Sequence, residues 1–182
     1  MFNHLGRRGN GSKPLKKPDE LKFIADINVG RLARWLRVMG YDTLIFKGVN
    51  DADMVTVAMI EDRIILTRDT QLMKRKPIAS GEARAVLIKN DDFTGQLEQI
   101  KRELKLPVAP KPFALCIECN VPLEEIDKSC VKDLVPEYVY ETQTEYIQCS
   151  SCCRVYWKGT HWQRMSERLR EMEKAGSRTQ IK

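Results

Sequence analysis

Four short apolar runs punctuate the first half of the chain: 22-KFIAD-26, 43-TLIF-46, 63-RIILT-67 and 84-RAVLIK-89. Their length and β-branched content predict strands, and their weak polar alternation predicts burial on both faces. The segments between them carry a different period. In 28-NVGRLARWLRVMG-40, Leu32, Trp35, Leu36 and Met39 recur at i, i+3, i+4 and i+7, one face of a helix, and Gly40 supplies a stop. Asp51 or Asp53 is placed to cap a second helix running to about Glu61, with Met54, Val55, Ala58 and Met59 apolar. A short helical piece is expected around Thr70–Lys74. A longer helix is expected from about Thr94 to Leu104, built on Leu97, Ile100 and Leu104. Strands and helices alternating in this way predict βαβ crossovers, hence an α/β domain over 21–106 with a mainly parallel sheet in three layers.

The pattern breaks at 106-LPVAPKP-112, whose three prolines read as a stiff linker over 107–112. All six cysteines lie beyond it, so a second module is placed at 113–165. A last helix is expected from about Thr160 to Lys174, with Trp162, Met165, Leu169 and Met172 on one face, and 166–182 form the C-terminal helix and tail. At the other end, residues 1–20 are rich in Gly, Lys and Pro and read as a flexible basic arm.

The cysteine spacing carries chemistry. Two Cys-x-x-Cys pairs, 116-CIEC-119 and 149-CSSC-152, stand 29 residues apart. Each pair on a tight turn presents two thiolates, and four thiolates at tetrahedral corners suit Zn²⁺. A four-cysteine site has no open position, so the zinc at Cys116, Cys119, Cys149 and Cys152 is expected to be structural, holding a ribbon too small for a core of its own. The residues between the pairs, through 123-LEEIDKSCVKDLVPEYVY-140, must then be ordered or looped out. Cys130 and Cys153 are read as bystanders. Around the pairs, Tyr146, Tyr156, Trp157, His161 and Trp162 mix with Arg154, Lys158 and Arg164. That mixture suits stacking on bases and contact with phosphates, and equally suits packing of the ribbon on the last helix.

Composition narrows the class. With 42% hydrophobic and 31% charged residues the chain is globular rather than disordered. No apolar run approaches the roughly 18–20 residues of a membrane span. The basic start is followed by no apolar stretch, so no secretory signal is read and a cytoplasmic location is expected. Of the net charge of +6, residues 1–17 contribute +5 and residues 158–182 contribute +4, which leaves the middle at −3. Basic ends around an acidic middle suit a nucleic-acid binder, and also suit a solvated tail and a solvated helix face.

The acids of that middle fall at regular places. Asp26 ends the first strand, Asp51 opens the helix after the second, and Asp69 follows the third. Open α/β sheets bind ligands at the carboxyl ends of their strands, where these carboxylates would converge. Such a cluster calls for a hard divalent cation, Mg²⁺ or Mn²⁺, and that pairing serves phosphodiester hydrolysis. Asp53 and Asn28 are secondary candidates, with Asp42, Asp91 and Asp92 weaker ones. Arg31, Arg34, Arg37 and Arg68 stand nearby to hold phosphates. Each acid alone also fits an ordinary helix cap.

Taken together, 26-DINVGRLARWLRVMGYDT-43, 63-RIILTRDTQLM-73, 116-CIECN-120 and 149-CSSCCRVYWKGTHW-162 resemble the Mut7-C family, from about Lys22 to Met165 in the same order. The resemblance implies a PIN-like ribonuclease domain with a C-terminal zinc ribbon and divalent-metal-dependent cleavage of RNA. It assigns the acidic positions to Asp26, Asp51 and Asp69, with Asp51 preferred over Asp53 by its spacing from Ala58. The family usually has Gly after the fourth cysteine, where this chain has Cys153. The expected activity is hydrolysis of RNA, with Asp26, Asp51 and Asp69 on the catalytic metal and Arg31, Arg34, Arg37, Arg68, Arg154, Trp157 and Lys158 on the RNA. The competing readings are a non-catalytic RNA-binding or adaptor protein with a degenerate site, and a phosphohydrolase acting on a small phosphate ester.

Overall fold

A computed structural model describes residues 17–178. Of the arm expected over 1–20, residues 1–16 lie outside the described residues, and Pro18–Glu20 form a 3-10 turn after Lys17. Four strands, β1 (Lys22–Ala25), β2 (Thr43–Ile45), β3 (Arg63–Thr67) and β4 (Ala85–Leu87), form a parallel sheet in the order β2-β1-β3-β4. Successive side chains point to opposite faces. Phe23, Ala25, Ile64 and Leu66 therefore join one core, while Ile24 and Ile65 join another. Helices cover both faces, as parallel strands require. Helix α1 (Gly30–Met39) and α4 (Phe93–Leu104) lie over the first core. Helix α2 (Asp51–Ile60) and the single turn α3 (Lys76–Ala79) lie over the second.

The helix boundaries follow from local chemistry. Gly40 ends α1 at φ +94°, and a Cβ there would come within 2.2 Å of the Lys111 carbonyl oxygen, so handedness and space both require glycine. The cap of α2 is Asn50, whose side chain accepts from Ala52 N at 3.0 Å, rather than Asp51 or Asp53. Both acids sit instead in the first turn, where the helix dipole favours them. Of the apolar residues of α2, Met54, Val55 and Ala58 are buried, while Met59 and Ile60 are exposed. Asp92 caps α4 by accepting from Gly95 N at 2.9 Å. The helical piece after β3 is a 3-10 turn at Leu72–Lys74, and α3 behind it was not expected.

The proline-rich segment lies against the end of α1. Phe113 N donates to Val38 O at 2.8 Å, and Tyr41 Oη donates to Pro107 O at 2.8 Å. Beyond it, β5 (Leu123–Ile126), β6 (Tyr146–Cys149) and β7 (Val155–Trp157) form an antiparallel sheet in that order. The long insertion between the cysteine pairs is ordered, as β5, a 3-10 turn at Lys128–Val131 and α5 (Glu137–Thr142). The ribbon also has a small core of its own, Val131, Val135 and Tyr146, against the expectation that it would have none. All three residues come from the stretch between the cysteine pairs. Helix α6 (Thr160–Arg178) then runs back to the parallel sheet, and Leu169 is buried in the first core.

Candidate functional site

In the order β2-β1-β3-β4, the chain leaves β1 toward β2 on one side and returns to β3 on the other. The carboxyl ends of β1 and β3 thus flank the reversal of strand order, where open α/β sheets collect ligands. Asp26 and Asp69 stand there. Asp26 N donates to Leu66 O at 3.0 Å, continuing the β1–β3 ladder past the end of β1. The Asp26 carboxylate accepts from Asn28 N at 3.3 Å and from Asn28 Nδ2 at 3.2 Å. Thr67, fully buried, joins the two acids. Its hydroxyl accepts from Asp69 N at 3.0 Å and lies at a long 3.4 Å from Asp26 Oδ2, as donor. Asp69 Oδ1 accepts from Gln71 N at 2.7 Å, an Asx turn that holds the loop after β3 in place.

Asp51 is held separately. Its carboxylate meets Arg75 Nη2 at 3.5 Å, and both side chains are close to half exposed. Arg75 precedes α3, a helix the periodicity did not announce, so nothing in the sequence marked it. Asp53 is exposed on the same helical turn. Asp26, Asp51 and Asp69 do not form a closed triad: among the described residues, the only group of three or more ligand side chains with all ligand atoms within 4.8 Å is the cysteine set.

The arginines divide. Arg31 and Arg34 are exposed on α1, and Arg34 faces Glu118 at 3.5 Å. Arg68 is exposed and ion-paired with Asp91 in the loop after β4. Arg154 lies 3.6 Å from the other oxygen of Glu118, and Lys158 pairs with Glu145. Arg37 was expected to meet RNA, but it is 3% exposed. Its guanidinium donates to the Thr43, Ile117 and Glu118 carbonyls at 2.8, 2.7 and 2.8 Å. It is a clamp between α1, β2 and the ribbon. Among the weaker acids, Asp42 sits at the amino end of the sheet, opposite Asp26, bonded to Arg63 at 2.7 Å and to Asn120 Nδ2 at 2.6 Å. Asp91 and Asp92 are taken up by Arg68 and by the α4 cap. Trp157 is half-buried against the ribbon core, and Trp162 packs on Phe113 with ring centroids 5.0 Å apart. Two clefts, of about 290 and 820 Å³, lie between the ribbon and α6, and none of the three acids lines either.

The cysteines converge. In each Cys-x-x-Cys pair the second cysteine's N–H donates to the first sulfur at 3.4 Å. The next residue's N–H donates to the first cysteine's carbonyl at 2.9 Å in both pairs. Those next residues, Asn120 and Cys153, share a left-handed backbone, φ +65° and +58°. The two knuckles are therefore copies of one turn. A tetrahedral ion about 2.3 Å from each sulfur implies sulfur–sulfur edges of about 3.8 Å, and Cys116 Sγ lies 3.8 Å from Cys152 Sγ. Burial alone would push the Cys116 thiol up. Its bonds from the Tyr156 hydroxyl, at 3.2 Å, and from the Cys119 and Glu118 N–H groups outweigh burial and lower it to about 6. Cys149 is pushed up, chiefly by burial. Sulfurs this close cannot all ionise without a cation between them, and the donor set suits a soft-ligand metal such as zinc. Cys130 and Cys153 lie outside the set.

Two carboxylates at a strand-order reversal and a four-cysteine knuckle pair thus occur in one chain, and residues 21–169 match the family model of the Mut7-C RNase domain. The chain belongs to the Mut7-C family. No curated protein and no solved structure matches it. As a Mut7-C RNase domain it is ribonuclease-like, which implies RNA as its substrate class. Among the described residues no helix is long and apolar enough to cross a membrane.

Proposed function

We propose that this Mut7-C chain is a divalent-metal-dependent ribonuclease that hydrolyses RNA phosphodiester bonds in the cytoplasm, with its ribbon held by zinc. One observation carries the reading: Asp26 and Asp69 stand at the carboxyl ends of adjacent parallel strands, joined through the Thr67 hydroxyl. Hard carboxylate oxygens suit Mg²⁺ or Mn²⁺, and Asp51 from the start of α2 is the third candidate ligand. When bound, the cation neutralises these carboxylates and offsets the charge that builds on the phosphate during hydrolysis. The chain's own residues supply position. Asn28 and Thr67 fix the Asp26 carboxylate, and the Asx turn fixes Asp69. Arg75 balances Asp51 until a cation does, and is then free to meet a substrate phosphate. Arg31 and Arg68 flank the acids, with Arg34, Arg154 and Lys158 farther along the surface as RNA contacts.

The test is cleavage of end-labelled RNA by the full chain with Mn²⁺, wild type against Asp69→Asn. The variant is expected to lose activity by a factor on the order of 100. Equal cleavage by both proteins sinks the site. RNA binding that weakens with salt, without cleavage by either protein, favours the adaptor reading.

A further inference from the structure

Most surface arginines near the sheet are balanced by acids: Arg34 by Glu118, Arg68 by Asp91, Arg75 by Asp51, Arg84 by Asp62 and Arg154 by Glu118. Two are held differently. Arg31, in the first turn of α1, places its Cζ 4.8 Å from the centre of the Phe93 ring. Arg168, on α6, places its Cζ 5.1 Å from the centre of the same ring and 5.5 Å from that of Trp35. Trp35 and Phe93 pack together with centroids 5.4 Å apart, and Arg168 Nη2 donates to Thr94 Oγ1 at 3.0 Å. Among the described residues neither guanidinium has a carboxylate partner. Two like charges are thus gathered on one buried ring, both pre-oriented by stacking, with no anion supplied by the described protein.

Their place in the fold gives the gathering a direction. The first turn of α1 follows Asp26 and Asn28, and the first turn of α4, which contributes Phe93 and Thr94, follows the carboxyl end of β4. Both turns therefore open at the end of the sheet that carries Asp26 and Asp69. Arg168 reaches this end from a helix far away in sequence, which gives α6 a role beyond covering the core.

We propose that Arg31 and Arg168, stacked on Phe93, form an anion site that holds the RNA backbone beside Asp26. The identity of the ligand rests on the ribonuclease reading. The site itself rests on the unbalanced pair. Planar guanidiniums take phosphodiester oxygens through paired N–H groups, and stacking limits the freedom lost on binding. Because the recognised group is a phosphate, binding is independent of base sequence.

The experiment measures binding of a short labelled single-stranded RNA to the full chain without divalent cation. It compares wild type, Arg31→Met, Arg168→Met and the double variant. Methionine keeps an apolar stem on the rings, and unchanged melting temperatures certify the fold; the neutral Arg168→Gln serves if Arg168→Met melts early. Each single variant is expected to bind about five- to tenfold more weakly, equally on uridine-rich and adenine-rich RNA. The log–log salt slope should become shallower by about 0.7 for each phosphate that a variant no longer neutralises. Unchanged affinity and slope in the double variant overturn the proposal, and so does a loss confined to one base composition. The two readings fail separately. If the arginine variants lose binding while Asp69→Asn still cleaves, the anion site stands and the acidic site falls. If wild type cleaves and the double variant binds and cleaves as well, only the anion site falls. A wild-type chain that binds no RNA without cation overturns the anion site, and one that also cleaves none with Mn²⁺ overturns both.

Discussion

The two cysteine knuckles share a left-handed position and differ in the residue that fills it. Asn120 and Cys153 occupy the same position of the same turn, both at positive φ. Asn tolerates that conformation, while Cys, with an ordinary Cβ, is strained there by about 1 kcal/mol. Cys153 is exposed and outside the ligand set, so its sulfur gives nothing back. Replacing it with Gly is expected to stabilise the chain by about 0.5 kcal/mol, the relieved strain less the entropy of a freer unfolded chain. Cys153→Val should cost about 1 kcal/mol. Denaturant unfolding measures both, and a Gly variant no more stable than wild type would remove strain from the account of this turn. The cysteine at this position was visible in the sequence. Its cost was not, because cost depends on φ.

At the scale of elements, the strands and their burial on both faces were legible, since parallel strands advertise themselves as unbroken apolar runs. The placement of Asp26 and Asp69 was legible for a related reason: each lies within two residues of a strand end. Partners brought by tertiary packing were not. Arg37 looked like its exposed neighbours Arg31 and Arg34, and its carbonyl partners at 117 and 118 lie some eighty residues away. The amino end of the sheet shows the same limit. There Asp42 gathers Lys22, Arg63 and Asn120 from β1, β3 and the ribbon. Burial would raise the Asp42 carboxyl, but the bonds from Arg63 and Asn120 outweigh it and hold the group below its ordinary value of 3.8. A depressed folded pKa contributes stability that is present above the ordinary value and is lost as pH falls through the folded one. The chain should therefore lose stability on acidification below about pH 4, and Asp42→Asn should be less stable at neutral pH with a flatter acid limb. Melting temperatures from neutral to acid pH test this, and parallel curves for the two proteins would rule out Asp42 as a source of the acid sensitivity.

Across the whole molecule, the ribbon and the sheet are expected to melt as one unit, because the first knuckle is bonded to the edge of the sheet. Asn120 Oδ1 accepts from Thr43 N at 2.8 Å at the start of edge strand β2, and its amide donates to Asp42. Arg37 reaches from α1 to the two carbonyls inside the 116–119 knuckle. All of these bonds depend on a turn whose shape depends on the four sulfurs. Arg37→Met should cost about 3 kcal/mol, since it leaves buried carbonyls of both parts unpaired. Removing the metal should then reach beyond the ribbon. With a zinc-specific chelator, the knuckle opens, Asn120 and the Arg37 carbonyls leave their partners, and the α/β part loses the cover on β2. The expected result is one cooperative transition at a lower temperature, followed both by Trp35 in the α/β core and by Trp157 in the ribbon, each isolated in turn by replacing the other tryptophans with Phe. In Arg37→Met the α/β signal should shift less on chelation than in wild type, because the clamp is already gone. An α/β transition that stays in place while the ribbon melts would show that the two parts are merely adjacent.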